Sequence, residues 1–237
     1  MPDFQRRATA PELMDDLSIT DERLETALDE LRLVSRWLGG TSVSLSALAS
    51  VLPPGLPARV LDVGTGGADV PAAAVRWGAR NNREVHVEGL DVNPVTLAHA
   101  AAWLDRTLPP ELRPRVTLQT GDAHALPYDD GTFDVAHAAL FLHHFEDDAA
   151  VEVLREMGRV ARVVVVNDLH RHVLAYGGIR ALALLSHSAM FKHDGPLSVL
   201  RGFTREELTR LTEAAGLQGT ITWHWAFRWR FVGTRPA

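Results

Sequence analysis

An α/β fold built on a mostly parallel sheet is what this sequence predicts, and three stretches carry the prediction. The run Arg59-Val60-Leu61-Asp62-Val63 breaks into Gly64-Thr65-Gly66-Gly67-Ala68 and restarts at Asp69-Val70-Pro71, the pattern of a buried strand, a tight turn and a helix. Val85-His86-Val87-Glu88-Gly89-Leu90 reads as a second strand closed by Asp91. Thr120-Gly121-Asp122-Ala123, with Phe133-Asp134-Val135 beyond it, again sets an acid just past a strand. A glycine turn alone is shared by many nucleotide-binding α/β folds, whereas the three signals in this order are far more specific.

Taken from the start, residues 20–38 carry Leu24, Leu28, Leu31, Val34 and Leu38 at helical spacing, with Thr20 or Asp21 to cap and Gly39-Gly40 to stop. A second helix is expected over Ser42 to Val51, ended by Pro53-Pro54. Residues 1–55 therefore form a helical preface, either a lid over a ligand site or simple packing on the sheet edge. Residues 56–237 form the main domain. Its strands are expected near 59–63, 84–90, 115–119, 133–138 and 161–167, and its helices near 69–80, 93–105 and 147–160, with a poorly defined crossing near 124–130. Such alternation predicts a parallel sheet covered on both faces, and right-handed crossovers gather Gly64 to Gly67, Asp91 and Asp122 at the carboxyl ends of the strands.

After the fifth strand the alternation is interrupted by an insertion over about 168–203. Asn167-Asp168-Leu169-His170-Arg171-His172 leads into an apolar helix, about Val173 to Ser188, and then into Phe191-Lys192-His193-Asp194-Gly195-Pro196, where Gly195-Pro196 suggests a loop. Thr204 and Glu207 form a capping box for a further helix that Gly216 ends. In the closing segment Ile221, Trp223 and Trp225 share one parity and Phe227, Trp229 and Phe231 the other, a hairpin bent near Trp225-Ala226. Trp223, Trp225 and Trp229 read as sheet packing or a homodimer contact rather than a ligand platform.

A chain of 237 residues without cysteine buries a full core unaided and excludes disulfides, thiolate zinc, iron-sulfur clusters and a thiolate nucleophile. The formal charge of -6 argues against nucleic acid as a partner. Met1-Pro2-Asp3-Phe4-Gln5-Arg6-Arg7 leads into acidic residues, not a signal-peptide core. Val163 to Val166 and Ile179 to Leu185 fall far short of the roughly 20 apolar residues of a spanning helix. A soluble, cytoplasmic protein with no membrane partner is expected.

Strand, glycine turn, strand-Asp, strand-Asp and a terminal strand pair together resemble the class I S-adenosylmethionine-dependent methyltransferases, over about residues 56 to 167. The runs Gly121-Asp122-Ala123-His124-Ala125-Leu126-Pro127-Tyr128 and Leu140-Phe141-Leu142-His143-His144-Phe145 are similar to the small-molecule methyltransferases of ubiquinone and menaquinone synthesis. Asn167 to His172, His193-Asp194-Gly195-Pro196-Leu197-Ser198 and Arg201-Gly202-Phe203-Thr204 resemble a bacterial subgroup linked to polyketide and phenolic natural products. The resemblance implies a Rossmann-like, seven-stranded, mostly parallel sheet with an antiparallel terminal pair. It also implies that S-adenosyl-L-methionine is the cofactor and a small molecule the acceptor. Asp62, Gly64, Thr65 and Gly66 would hold its methionine part, Asp91 its ribose, and Val92, Asp122 and Ala123 its adenine, with Ala138 and Leu140 lining the site. Ala68 departs from a position that is often glycine, which is tolerable if Ala68 has begun the helix.

O-methylation of a phenol or hydroxyquinone is the reaction expected, and an oxygen acceptor benefits from a base. His143, beside His144 after the fourth strand, is one candidate, against a structural role. His170 leaves the fifth strand at the same end of the sheet, and with it Arg171 and His172 could face the acceptor, against solvent exposure or helix capping. His193 could be held by Asp194 as a His-carboxylate dyad. His170-x-His172 lacks a third metal ligand, so no metal is assigned. Met190 and Phe191 belong to an insertion that would roof an apolar acceptor. A nicotinamide oxidoreductase is the alternative, although no Tyr-x-x-x-Lys spacing occurs. So is a protein of the methyltransferase fold that uses the cofactor for binding or for a non-methylating reaction.

Overall fold

The computed structural model describes residues 2–19 and 21–236. Its preface contains α1 (Glu22–Trp37) and α2 (Gly40–Val51). Asp21 caps α1 by accepting from the Arg23 N–H, while Thr20, the other expected cap, lies outside the described residues. α2 starts two residues earlier than expected because Gly39 takes φ 75°, in the left-handed region open to glycine. Gly40 is bare for a second reason: a Cβ there would lie 2.8 Å from Nη2 of Arg228.

The main domain runs β1 (Ala58–Val63), α3 (Asp69–Arg80), β2 (Val85–Asp91), α4 (Pro94–Thr107), β3 (Val116–Thr120), β4 (Phe133–Ala139), α5 (Asp147–Val160) and β5 (Ala161–Leu169). The insertion supplies α6 (Val173–Leu185) and α7 (Ala189–Arg201), followed by α8 (Arg205–Ala214), β6 (Gln218–His224) and β7 (Arg228–Thr234). One seven-stranded sheet results, in the order β3-β2-β1-β4-β5-β7-β6. Its pairs are parallel from β3 to β5, while β7 is antiparallel to both β5 and β6.

Pleating explains the two cores. Leu61, Ala136 and Val164 point to one face, against Leu154, Met157 and Phe203. Val60, Val135 and Val165 point to the other, against Leu48, Val75 and Leu104. Fully burying side chains of this size contributes about 1.5–3 kcal/mol each, so the central strands are the rigid base on which the loops stand.

One expected loop is a helix. Gly195 and Pro196 lie inside α7, whose first turn is capped by Ser188 accepting from the Phe191 N–H. Gly195 is there for contact between helices, since a Cβ would sit 3.2 Å from Cγ1 of Ile179 on α6. Packing has overridden the local breaker signal. The capping box at Thr204 and Glu207 forms as expected, and Gly216 takes φ 76° after α8. Among the described residues no helix is long and apolar enough to cross a membrane.

Candidate active site

The glycine turn leaves β1 at the carboxyl end of the sheet. Gly64 and Gly66 have φ 67° and 50°. A Cβ on Gly64 would come within 2.1 Å of the Phe141 ring, so the bare backbone is what lets that ring close over the turn. The condition under which a methyl at Ala68 is tolerable, that it has begun the helix, is not met. Ala68 sits one residue before α3 at φ 58°, ψ 28°, a left-handed conformation in a buried methyl-bearing residue, which costs on the order of 1–2 kcal/mol and is held by the packing around it.

Beside the turn opens a cavity of about 790 Å³. Of the ten residues expected to hold a cofactor, Gly64, Thr65, Gly66, Asp91, Val92 and Leu140 line it. Asp91 joins turn to strand: Oδ2 accepts from the Gly66 N–H at 3.0 Å and Oδ1 from the Asn93 N–H at 3.0 Å. Burial pushes its carboxyl above the ordinary range. Each oxygen keeps a further lone pair, so the residue fits a vicinal diol such as a ribose. Leu140 reaches the wall with φ 51°, its N–H bonded to the Asn167 carbonyl.

The other four lie elsewhere. Asp62 is a buttress behind the turn, where it accepts from Thr65 Oγ1 at 2.7 Å and pairs with Nδ1 of buried His137 at 2.6 Å. His137 Nε2 continues to Ser44 Oγ at 2.8 Å, tying the turn to α2. Ala138 is enclosed in β4. Asp122 is exposed after β3 and held by the His124 N–H and ring, and Ala123 is buried beside it; neither lines the cavity.

His143 lines the cavity and is almost wholly buried. Its Nδ1 lies 2.6 Å from Oδ1 of buried Asp168, and its N–H donates to Oδ2 at 3.2 Å. Burial works to raise the Asp168 carboxyl, but the neighbouring His143 together with the Leu169 N–H outweighs it and holds Asp168 below the ordinary range. A carboxylate on Nδ1 fixes the proton there and leaves the Nε2 lone pair on the other side of the ring.

Of the remaining expected acceptor residues, Met190 and Phe191 line the cavity, whereas His170, Arg171, His172 and His193 do not. His170 accepts from Trp223 Nε1 at 3.2 Å among Trp229 and Phe227, outside the cavity, and burial lowers its pKa. His172 caps α6 through Nδ1 and stacks on Phe227. Arg171 is buried in an ion pair with Glu207 at 2.6 Å and bonds the Gly202 carbonyl, so it ties the insertion to α8. His193 and Asp194 do pair, at 2.7 Å, but the imidazole is half exposed and off the cavity. Asp194 instead caps the N-terminal segment at the Leu13 and Met14 N–H groups. Met190 and Phe191 are buried and line the wall.

Glu12 was not legible as a site residue. It is 3% exposed, its Oε2 accepts from Ser198 Oγ, and among the described residues its Oε1 has no hydrogen-bond partner. Burial pushes its carboxyl up to about 7. Oε1 lies 3.6 Å from His143 Nε2, and Glu12, His143 and His144 each bring a ligand atom within 4.8 Å of the others. Arg201 Nε stands 3.8 Å from the same oxygen, so a guanidinium already supplies positive charge at that point. No sequence period marks Glu12, because a long-range fold-back places it.

Comparison with known proteins agrees with this geometry. Residues 60–163 match the family model described as a methyltransferase domain. The 27-O-demethylrifamycin SV methyltransferase of Amycolatopsis mediterranei is 34% identical over 48% of this chain and 41% of its own. The ubiquinone/menaquinone biosynthesis C-methyltransferase of Citrifermentans bemidjiense is 32% identical over 44% of this chain and 41% of its own. The chain thus spans about two fifths of each of these relatives. A SAM-dependent methyltransferase from Aquifex aeolicus superposes with a TM-score of 0.64 at 17% identity, over 88% of this chain and 97% of that one, a likeness of fold.

Proposed function

We propose that the chain, whose residues 60–163 match a methyltransferase domain, is a class I S-adenosylmethionine-dependent methyltransferase that methylates the oxygen of a small phenolic or hydroxyquinone-type acceptor. The observation that carries this reading is the Asp168-His143 pair in the wall of a cavity shared with the glycine turn. The cofactor supplies an activated methyl on a sulfonium. The backbone of Gly64 to Gly66 would hold its methionine part and Asp91 its ribose. Val92, exposed at the cavity wall, would meet the adenine.

His143 Nε2 takes the acceptor's hydroxyl proton, and the Asp168 carboxylate stabilises the resulting imidazolium without itself gaining a proton. Met190, Phe191, Ile179 and Leu182 give an apolar wall that excludes water and suits an aromatic ring. Residues 1–55 serve as a lid, since Glu12, Leu24, Leu28 and Arg32 close one side of the same cavity. Proximity then supplies several kcal/mol of the rate.

The test is a panel of phenols and hydroxyquinones with S-adenosylmethionine, followed by product mass and position of methylation. His143→Ala should lower kcat by about 10²–10⁴ and remove the acidic limb of the pH-rate profile, with cofactor affinity unchanged. Product methylated on carbon or nitrogen, or a wild-type profile in the variant, would discard the oxygen-acceptor reading.

A further inference from the structure

We propose that Glu12, His143 and His144 form a binding site for a divalent transition metal of the zinc class, and that the bound ion halts methyl transfer by occupying the lone pair of His143. The site stands on its own residues, and the halt rests on the reading of His143 as the base.

Two short turns from distant parts of the chain meet at this point. Glu12 precedes a 3-10 turn (Leu13–Asp15) of the N-terminal segment, while His143 and His144 close another (Leu142–His144) after β4. The second turn sets its two imidazoles side by side, with ring centroids 4.4 Å apart and planes 30° apart. Each ring has a carboxylate on the same nitrogen: His143 Nδ1 lies 2.6 Å from Asp168 Oδ1, and His144 Nδ1 lies 2.6 Å from Asp15 Oδ1. A carboxylate on Nδ1 holds the proton there and leaves Nε2 as the lone-pair nitrogen, which is how metal-binding histidines are oriented. Two neighbouring rings prepared alike are more than a single base requires.

Glu12 completes the set. It is buried, its Oε2 is taken by Ser198 Oγ, and among the described residues its Oε1 has no hydrogen-bond partner. Oε1 stands 3.6 Å from His143 Nε2, too far for a hydrogen bond. Ligand atoms on a tetrahedral zinc, each about 2.1 Å from the ion, stand about 3.4 Å apart, so this pair is spaced for an ion between them. All three residues line the cavity, which gives the ion a path of entry. Charge points the same way. The carboxylates of Glu12, Asp15 and Asp168 surround the point, and among the described residues Arg201 is the only guanidinium within 4.0 Å of any of them, so a dication makes up the difference. Two imidazoles and one carboxylate select zinc, cobalt or nickel over magnesium and calcium, which take oxygen ligands. Once His143 Nε2 is coordinated, it has no lone pair left for the acceptor's proton.

The experiment uses the full chain stripped with EDTA and two ions alone, zinc for calorimetry and cobalt for its visible spectrum. One zinc should bind per chain, excess magnesium should not compete, and bound cobalt should show the visible absorption of a tetrahedral ion. His144→Gln and Glu12→Gln should each weaken zinc by at least about 100-fold and abolish the cobalt spectrum, with metal-free methyl transfer at the wild-type rate. Asp15→Asn, which removes only the orienting partner of His144, should weaken zinc by about 10–100-fold. Transfer by wild-type protein should fall as zinc fills the site and return with EDTA, and both ligand variants should resist the ion. Absence of zinc binding overturns the site, and so does wild-type zinc affinity in His144→Gln and Glu12→Gln. Zinc that binds as expected without slowing transfer overturns the halt where His143→Ala has lost activity. If His143→Ala itself transfers at the wild-type rate, the base reading has failed and the halt with it, while the cobalt spectrum decides the site alone.

Discussion

At the scale of single residues, the site sets charges in places where water would ordinarily screen them. Asp168 is wholly buried, and its ionised form is maintained by His143. Asp168→Asn should keep the shape but lose the preference for a proton on Nδ1, so kcat should fall by about 10²-fold or more while KM for the cofactor stays, read by steady-state kinetics. Glu12 poses the opposite case. Its folded carboxyl stands near 7 against an ordinary 4.5. Between those two values the unfolded chain has ionised while the folded one still holds its proton, so folding stability falls as pH rises through this window. Glu12→Gln should match wild type near pH 4 and exceed it by up to about 3 kcal/mol at pH 8, measured by urea unfolding at both pH values. Equal pH dependence in the two proteins would show that Glu12 is solvated. The acids after β1 and β2 were visible in the sequence because each follows an apolar run. Glu12 was not, because what matters about it is its burial beside His143, and that is decided only when distant segments meet.

At the scale of elements, hydrophobic period placed each strand and main helix to within a few residues, since alternating burial leaves a direct imprint on composition. The sheet edge and the insertion were harder. α7 carries Gly195-Pro196, a local signal for a loop, yet it is a helix because Gly195 admits Ile179 from α6 and Ser188 caps its start. The same logic assigns His170, Arg171 and His172 to structure: the chain leaves β5 at the expected end, but their partners are Trp223, Glu207 and the α6 backbone. The glycine turn is the element where backbone shape and ligand access coincide. Gly64→Ala would require a Cβ at φ 67° and 2.1 Å from a Phe141 ring carbon. It should cost roughly 1–3 kcal/mol in thermal unfolding, by strain and overpacking, and abolish donor binding by displacing Phe141. A variant with wild-type melting and wild-type affinity would show that the ring moves freely and does not form the floor of the site.

At the scale of the whole molecule, two guanidinium groups, those of Arg201 and Arg7, attach the N-terminal segment to the loop that carries His143. Arg201, at the end of α7, donates to the carbonyls of His143, His144 and Ala10, and Arg7 reaches the Phe145 and Arg201 carbonyls from the segment itself. Insertion, preface and the His143 loop are thereby one mechanical unit, although Arg7 and Phe145 stand 138 residues apart in sequence. The coupling explains how the segment before α1, a helix that buries only a modest apolar cluster of Leu24, Ala27 and Leu28 against Met190 of α7, can hold Glu12 against the cavity. Arg201→Met should leave the His144 and Ala10 carbonyls without their donor, with Arg7 still serving the His143 carbonyl, and cost at least about 2 kcal/mol locally, while the two sheet cores, which do not contain Arg201, remain intact. The expected result is faster amide hydrogen exchange over residues 7–19 and the 141–146 loop, with exchange in β1, β4 and β5 unchanged and donor dissociation accelerated. Uniformly faster exchange across the central strands would instead make Arg201 a determinant of the global fold, and unchanged exchange in both regions would mean that Arg7 alone holds the preface in place.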